Sequence, residues 1–292
     1  MTLRIRALVA ASALLPGLFV GAALGAERLV ALGGDVTEIV YALGAGERLV
    51  AVDSTSDHPP AAADLPDLGY FRRLAAEPIV ALEPDLVLAS AASGPPVVLK
   101  QLRAARVPVT IVPNDAGVDG LLAKIAAVGR ALDRQAAADA LAAEVEAEVA
   151  RARERVATAE HRPRVLFVLN VGRGAPLAGG ADTSAAAIIE LAGGRNAVGG
   201  FAGYKPLSQE AALAAAPDVV LVPDHTLEAA GGPAALLDRP ELRHTPAASA
   251  GHVVAMEMAC CSWASGRAWA RRWTSSPEIG RASCRERVCV GV

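Results

Sequence analysis

A tyrosine beside two arginines has the clearest chemical use in this sequence. Tyr70 precedes Arg72 and Arg73 in the segment GYFRRLAAE, and the chain contains only three tyrosines. Nearby positive charge favours the phenolate form of a tyrosine, and a phenolate oxygen is a hard anionic ligand suited to ferric iron, including haem iron. Arg72 has the planar geometry to donate two parallel hydrogen bonds to a carboxylate of the same ligand. The alternative is that the ring of Tyr70 packs on its own loop and that both arginines are solvated.

The Gly-Tyr segment occurs a second time in the chain. Residues 69–89 read GYFRRLAAEPIVALEPDLVLA, and residues 203–222 read GYKPLSQEAALAAAPDVVLV. The two copies are much farther apart than the roughly 20–50 residues that separate the units of a solenoid. The duplication therefore predicts two similar lobes, each presenting the same loop, with a cleft between them. Only the first tyrosine is followed by a pair of arginines.

The two copies also pair two acidic residues, Glu77 and Glu210, in the first turn of a predicted helix. A carboxylate in this position interacts favourably with the helix dipole, which contributes about 0.3–1 kcal/mol and is a sufficient structural reason for both residues. Their recurrence at equivalent places in both lobes allows a second interpretation. Two matched acidic side chains on one surface are able to meet arginines of a two-fold symmetric partner.

The sequence lacks the short motifs of several enzyme classes. It contains no G-x-S-x-G nucleophile elbow, no P-loop and no G-x-G-x-x-G after a predicted strand. Its five histidines do not have the spacing of a zinc site; they are His58, His161, His225, His244 and His252. Because the pattern brings no nucleophile and base together, we do not expect an enzyme.

The charge of the chain argues against a nucleic-acid partner. The formal net charge is −3. It becomes about −9 without residues 1–26 and 259–292, which together hold eight arginines and two glutamates. Non-specific binding to nucleic acid depends on the neutralisation of phosphates by Lys and Arg, which an acidic chain does not supply. The balance suits a soluble exported protein, and we expect a monomer.

Both ends of the chain differ from the rest. Residues 1–26 contain two arginines, an apolar run and a small-residue end, which is the layout of a cleavable signal peptide for export to the periplasm. The alternative is a membrane anchor, but Pro16 and the glycines interrupt the apolar run. Residues 259–292 contain all four cysteines and all three tryptophans. Because the stretch EIGRASCRERV resembles translated sequencing-adapter DNA and the stretch before it resembles coding DNA read out of frame, we expect the authentic sequence to end near Met258.

Between these ends, apolar runs alternate with helical segments. The predicted strands at 28–33, 49–54, 86–90 and 109–113 are mainly apolar and show no alternation with polar residues, which is typical of a parallel sheet covered on both faces. The same pattern resumes at 164–169. The sequence therefore predicts an α/β fold with an N-terminal lobe at 27–117 and a C-terminal lobe at 161–258.

The segment between the lobes, residues 118–160, is rich in alanine and charged residues and nearly free of helix breakers. It predicts one helix that ends near Leu132 and a long helix from about Gln135 to Glu160. A rigid helix between two lobes limits how far they hinge. We therefore expect a small closure when a ligand binds.

The chain resembles the periplasmic binding proteins of ABC-type haem importers, within the helical-backbone family that also serves vitamin B12 and ferric siderophores. The resemblance covers about residues 27–258. Its general part rests on ERLVALGGDVTEIVYALGAGERLVAVD, on EPIVALEPDLVLAS and on the predicted linker helix. Its haem-specific part rests on GYFRRLAAE and GYKPLSQEAALAAAPDVVLVP. It implies the class III fold, in which two Rossmann-like lobes are joined by a long rigid linker helix.

The resemblance also implies roles for individual residues. Tyr70 would be the axial ligand of the haem iron, and Arg72, with Arg73 beside it, would bind a propionate. Tyr204 or Lys205 would face the cleft from the second lobe, where no second axial ligand is matched.

The implied function is that of a non-enzymatic carrier that captures haem, its transported ligand, and delivers it to an inner-membrane ABC transporter. Glu77 and Glu210 would contact the permease dimer, and an outer-membrane haem receptor would act upstream. Two alternatives stay open. One is a siderophore or corrinoid binding protein of the same fold, in which Tyr70 is dispensable, and the other is an α/β enzyme that uses the cleft.

Overall fold

The first lobe is built on a four-stranded parallel sheet. The computed structural model describes residues 26–157, 159, 161–172 and 174–256. The expected signal peptide, apart from Ala26, and the expected tail at 259–292 lie outside the described residues. The strands of the first sheet are β1 (Leu29–Leu32), β2 (Leu49–Val52), β3 (Leu86–Ser90) and β4 (Val109–Val112), and their spatial order is β2-β1-β3-β4. The helices of this lobe are α1 (Gly34–Ala42), a 3-10 turn (Gly46–Arg48), α2 (Pro60–Ala63), α3 (Ala76–Ala81) and α4 (Pro96–Ala104).

Helices cover both faces of this sheet, which explains why its strands are continuous apolar runs. Successive residues of a strand point to opposite faces. Leu29 and Leu88 belong to the apolar cluster that includes α1. Val30 and Val87 belong to a second cluster that includes side chains of α3 and α4. Every position of the central strands β1 and β3 is therefore buried, and all of them except Ser90 hold an apolar residue.

Two helices connect the lobes. They are α5 (Gly117–Ala131) and α6 (Gln135–Ala157). With a rise of 1.5 Å per residue, the 23 residues of α6 span about 34 Å. The helix ends three residues before the predicted end at Glu160. In the part of the chain that the structure describes, no helix is both long and apolar enough to cross a membrane.

The second lobe repeats the architecture of the first. Its strands are β5 (Arg164–Phe167), β6 (Leu177–Gly179), β7 (Arg195–Asn196), β8 (Tyr204–Pro206), β9 (Val219–Pro223) and β10 (Val253–Met256). Its helices are α7 (Ser184–Leu191), α8 (Gln209–Ala215), α9 (Asp224–Ala230), α10 (Pro233–Leu237) and α11 (Pro246–Ala250). The parallel sheet has the order β7-β5-β9-β10, and β6 pairs with β8 in a separate antiparallel ribbon. In chain order, β5, β7, β9 and β10 are the counterparts of β1 to β4, so the two sheets have the same topology, as the duplication predicts.

The Pro-Asp pair of each copy anchors the first strand of its lobe. Asp85 Oδ2 accepts hydrogen bonds from the backbone N–H groups of Glu27 and Arg28, both at 2.9 Å. Asp218 Oδ2 accepts a hydrogen bond from the backbone N–H of Arg164 at 2.8 Å. These bonds fix the start of β1 beside β3 and the start of β5 beside β9. The duplicated aspartates are therefore structural residues at the amino edge of each sheet.

One apolar core runs through both lobes and the helices between them. It includes Leu88 of the first sheet, Val128 of α5, Val149 of α6 and Phe167 of the second sheet. Helix α5 packs against α1 in the first lobe and against α7 in the second. The linking segment is therefore part of the core rather than a tether between two independent bodies.

The sequence also predicts that Asp35 or Thr37 caps the helix after β1, and this prediction is wrong. The N-cap of α1 is Gly33, with a φ of 120° and no side-chain capping bond. Asp35 forms a salt bridge with Lys124 instead. The hydroxyl of Thr37 lies 2.7 Å from that of Ser56. Asp35 Oδ1 accepts a hydrogen bond from the N–H of Val36, its neighbour within the first turn, at 2.9 Å. Both side chains thus lie inside the helix and make tertiary contacts, and neither occupies the N-cap position.

Candidate functional site

The first Gly-Tyr segment is a loop at the carboxyl edge of the first sheet, where open parallel sheets bind their ligands. Two backbone hydrogen bonds tie this loop to the end of β2. The N–H of Leu68 donates to the carbonyl of Val52 at 2.9 Å, and the N–H of Ser54 donates to the carbonyl of Gly69 at 3.1 Å. Gly69 has a φ of 81°, a left-handed conformation that glycine adopts without strain. It turns the chain immediately before Tyr70.

The other side of the loop is tied to the connection between β3 and α4. Gly94 donates its N–H to the carbonyl of Phe71 and accepts a hydrogen bond from the N–H of Leu74, both at 2.9 Å. The side chain of Leu74 is buried in the apolar cluster that includes α3 and α4. Tyr70 therefore lies between two anchored points of a loop that is fixed on both sides.

The side chain of Tyr70 is accessible although its ring packs on a neighbour. It is 42% exposed, and its ring meets that of Phe71 edge-on with 5.1 Å between centroids. The guanidinium carbon of Arg72 lies 5.3 Å from the centroid of Phe71, on the face of the ring. The salt bridges found among the described residues involve neither Arg72 nor Arg73. The loop thus brings a phenol and two cations into one short segment, and neither cation has an acidic partner among residues 26–256 as far as the structure describes them.

An exposed apolar edge adjoins this loop. Residues 95–97, at the start of α4, read Pro-Pro-Val and are all exposed, and Val97 is 53% exposed. They follow directly on Gly94, whose backbone is bonded to the Tyr70 loop. This edge was not predicted from the sequence, although the uninterrupted apolar run after the Ser-Gly turn is a signal for it. An apolar surface therefore lies next to the loop that carries Tyr70.

The second Gly-Tyr segment is a strand rather than the loop that the repeat predicts. Strand β8 pairs antiparallel with β6, and Tyr204 lies opposite Gly179. A Cβ atom on Gly179 would lie 3.3 Å from a ring carbon of Tyr204, so the glycine leaves room for the ring. Tyr204 is 39% exposed, and its ring centroid is 6.4 Å from that of Phe167. Lys205 places its Nζ 5.2 Å from the centroid of Phe201.

The predicted ligand-contacting residues thus form one group in each lobe, with Tyr70, Arg72 and Arg73 in the first and Tyr204 and Lys205 in the second. Tyr41, the third tyrosine, packs against the main core. Desolvation and the negative charge of Asp64 raise the pKa of Tyr41, which favours its neutral phenol form. Within the described residues, no group of three or more His, Cys, Asp or Glu side chains could hold a metal ion.

The two duplicated glutamates occupy equivalent, exposed positions in the first turns of α3 and α8. Their local support differs. Ser208 caps α8 by accepting a hydrogen bond from the N–H of Ala211 at 3.2 Å, whereas α3 begins after Ala75, which has no capping side chain. Hydrogen bonds from its own backbone N–H and from the hydroxyl of Ser208 lower the pKa of Glu210. The start of α8 therefore has a capping side chain next to its glutamate, and the start of α3 has none.

Two equivalent α/β lobes joined by core helices, with ligand-competent side chains at a carboxyl sheet edge, define a class of binding protein. The chain belongs to the periplasmic binding protein family, because the model of this family matches residues 29–258.

The solved structures that resemble the chain are more specific. The periplasmic heme-binding protein RhuT from Roseiflexus sp. RS-1, in apo form, is 40% identical with a TM-score of 0.82, and the match covers 88% of this chain and 100% of that one. The periplasmic heme-binding protein BhuT, in complex with two hemes, is 41% identical with a TM-score of 0.81, covering 87% and 98%. A vitamin B12-binding protein of Vibrio campbellii is 26% identical over 203 residues, which are 69% of this chain and 72% of that protein.

Proposed function

We propose that the protein is a periplasmic haem carrier that captures haem between its lobes and delivers it to an inner-membrane ABC transporter. The observation that carries the proposal is the Tyr70 loop, which combines an exposed phenol, an arginine pair and an apolar edge at the carboxyl edge of the first sheet. The similarity to two proteins named as heme-binding supports it. The family and these relatives are binding proteins, and we propose a carrier rather than an enzyme.

Tyr70 is the proposed axial ligand of the haem iron. Tyrosinate is one of the side-chain ligands that hold ferric haem. The 42% exposure of Tyr70 allows the iron to approach without displacement of the core. Because backbone hydrogen bonds already fix the loop on both sides, binding orders few additional torsions. A single protein–iron bond also allows release, since only one bond has to break at the transporter.

Arg72 and Arg73 are the proposed partners of the haem propionates. Both lie within three residues of Tyr70, and no salt bridge in the described part of the chain occupies them. A guanidinium without an internal partner is able to bind a carboxylate through two parallel hydrogen bonds. The edge at 95–97 would cover part of the macrocycle, and each Å² of apolar surface removed from water contributes about 25 cal/mol.

Tyr204 and Lys205 are the proposed contacts from the second lobe. The partly exposed ring of Tyr204 offers an aromatic surface, and Lys205 supplies a cation next to it. No arginine follows Tyr204 in its segment, so we assign this tyrosine to packing rather than to iron coordination.

Glu77 and Glu210 are the proposed contacts to the transporter. They occupy equivalent positions in two lobes of the same topology. An approximately two-fold permease dimer would meet them with two equivalent basic residues. Residues 1–26 are the proposed export signal, and the upstream outer-membrane haem receptor stays a prediction.

A corrinoid carrier is the second candidate, because the vitamin B12-binding relative matches most of the chain. In a corrinoid or siderophore carrier, the oxygen of Tyr70 would be dispensable. An α/β enzyme that uses the cleft would convert the bound ligand into a product.

Absorbance titration with ferric haem, cyanocobalamin and a ferric hydroxamate siderophore tests these alternatives. We expect saturation with haem at one or two equivalents and a phenolate-to-iron charge-transfer band. The Tyr70→Phe variant keeps the ring and removes only the oxygen. It should lose the band and bind haem at least about a hundredfold more weakly, because removal of even an outer-shell partner typically costs 10–100-fold. Tight binding of cyanocobalamin or of the siderophore, unchanged in Tyr70→Phe, would overturn the haem assignment.

A further inference from the structure

Asp53 is a buried carboxylate that has no role in the proposed haem site. It follows β2 directly, and it is the one aspartate among the described residues that is buried, with 1% of its surface exposed. Its oxygens accept four hydrogen bonds. Oδ1 accepts from the N–H of Gly33 at 2.7 Å and from the hydroxyl of Ser56 at 2.9 Å. Oδ2 accepts from the N–H of Thr55 at 3.0 Å and from its hydroxyl at 2.6 Å.

This network joins the start of α1 to the turn after β2. The hydroxyl of Thr55 also lies 3.1 Å from the N–H of Gly34, from which it accepts a hydrogen bond. The hydroxyl of Ser56 also bonds to that of Thr37. Since a buried carboxylate is costly without donors, four donors arranged around Asp53 hold the turn at 53–56 in one conformation. The turn and the helix start therefore behave as one rigid unit.

The Tyr70 loop is bonded to this unit. Ser54 lies between Asp53 and Thr55 in the chain, and its N–H donates to the carbonyl of Gly69, the residue before Tyr70. Because the residues on both sides of Ser54 are fixed by the carboxylate, the direction of its N–H is fixed as well. The position of Gly69 follows from that direction.

We infer that Asp53 is a positioning residue for Tyr70. Asp53 holds the phenol oxygen of Tyr70 in place through the hydrogen bond between Ser54 and Gly69. The inference rests on the proposed role of Tyr70 as the iron ligand. An axial ligand must reach the iron at one distance and one angle, and outer-shell partners that orient such ligands typically change affinity by about 10–100-fold. Asp53 would thereby set haem retention without touching haem.

The Asp53→Asn variant tests the inference, because it keeps the shape and replaces one acceptor oxygen with a donor amide. In the haem-free protein, hydrogen–deuterium exchange of the peptide spanning 66–74 should become about tenfold faster or more, because a loop with a weakened anchor opens more often. In the haem-bound protein, the charge-transfer band should weaken and transfer of haem to a scavenger protein should accelerate by about tenfold. The Asp85→Asn variant is the matched control, since Asp85 anchors β1 at the opposite edge of the same sheet. It should alter neither the exchange of 66–74 nor haem transfer.

A second pair of variants addresses the same link if Asp53→Asn fails to fold. Thr55→Val removes the hydroxyl that bonds to Asp53 and should loosen the loop in the same direction by a smaller factor. Thr55→Ser keeps that hydroxyl and should restore wild-type exchange and haem transfer. Unchanged exchange and transfer in Asp53→Asn or Thr55→Val, or equal effects in Asp85→Asn, would overturn the inference. Faster loop exchange combined with haem binding that is indifferent to Tyr70→Phe would retain the loop coupling and reject the iron-ligand proposal instead.

Discussion

The two Gly-Tyr segments are alike where they enter the core and different where they meet solvent. Gly69 and Gly203 both have a positive φ, and Leu74 and Leu207 are both buried. Between these points, the first segment forms a loop bonded to β2 and to Gly94, and the second forms strand β8 bonded to β6. The two copies thus share the glycine and leucine positions at which the chain turns and enters the core. Their exposed parts differ in conformation and in basic residues, with Arg72 and Arg73 in the first copy and Lys205 in the second.

The two copies also differ in how the helix after each segment begins, and here the second copy has more local hydrogen bonding than the first. The first copy has a well-anchored tyrosine and an uncapped helix after Ala75. The second has a helix capped by Ser208, whose hydroxyl also contributes to the lowered pKa of Glu210. The first copy therefore has the more firmly anchored loop, and the second has the better-capped helix start.

The largest expected difference between the copies concerns the two tyrosines. We predict that Tyr204→Phe leaves the haem spectrum unchanged and weakens haem binding by no more than about threefold, because the substitution removes a hydroxyl and keeps the aromatic surface. The same substitution at Tyr70 should abolish the charge-transfer band. Equal loss in the two variants, measured by absorbance titration under one condition, would show that the copies are not specialised in this way.

Charge reversal at the two glutamates should separate docking from ligand capture. Glu77→Lys and Glu210→Lys should each weaken stimulation of the transporter ATPase by about tenfold or more, since like charges placed together in an interface cost several kcal/mol. Haem affinity should stay at the wild-type value. Glu228→Lys, at an exposed position of α9, is the matched control and should stimulate the transporter normally. A normal response from Glu77→Lys and Glu210→Lys would remove the docking assignment.

Exchange of the two helix caps should move stability in opposite directions. Ser208→Ala removes the acceptor for the N–H of Ala211 and should lower the free energy of unfolding by about 1 kcal/mol. Ala75→Ser introduces a hydroxyl at the equivalent position of α3 and should raise it by up to about 1 kcal/mol. Urea denaturation followed by circular dichroism measures both changes. A gain in one variant without a loss in the other would mean that the two helix starts are not equivalent.

The smallest effect concerns the acid stability of the second lobe. Burial by itself raises the pKa of Asp218. Hydrogen bonds from the backbone and the guanidinium of Arg164 have the opposite effect, as do the positive charges of Arg164 and His161. Together they outweigh burial and lower the pKa of Asp218 below its usual 3.8. A lowered folded-state pKa contributes stability that is complete above pH 3.8 and is lost as the pH falls through the folded-state value. Because the pair is partly exposed, the contribution is under about 1 kcal/mol.

The Asp218→Asn variant should therefore differ from the wild type most at neutral pH and least in strong acid. Urea unfolding at a series of pH values measures the difference in free energy of unfolding. The Asp85→Asn variant, which alters the equivalent aspartate of the first lobe, is measured for comparison. A gap between wild type and Asp218→Asn that stays constant below pH 3.8 would contradict the assignment.

Features that repeat or that are buried on two sides were predictable from the sequence. The strands at 86–90 and 109–113 follow from apolar runs, and β3 (Leu86–Ser90) matches its prediction residue for residue. The equivalence of the lobes follows from the duplicated segment, because both copies keep the residues that enter the core. The roles predicted for Tyr70 and Arg72 rest on their chemistry and on resemblance, those of the two glutamates rest on the duplication and on resemblance, and all of them stay predictions.

The features that escaped prediction depend on contacts between distant segments. Strand β8 contains only exposed residues, so it has no apolar alternation, and its conformation comes from pairing with β6. Helices α9, α10 and α11 are seven residues or shorter, too short for a helical period to appear. Asp53 lies in a DSTS segment that is typical of a turn, but its four donors include Gly33, twenty residues earlier.

The apolar core that passes through α5 and α6 also bears on how the molecule unfolds. Because the same cluster contains side chains from both sheets, neither half is able to bury its inner face without the other. Thermal or chemical denaturation should proceed as a single cooperative transition, reported at one midpoint by probes placed in either half. A gene fragment that encodes only one half would yield an aggregation-prone chain with an uncovered apolar face. If the two lobes arose by duplication of a single-lobe ancestor, that ancestor would have needed a second copy of itself to cover its apolar face.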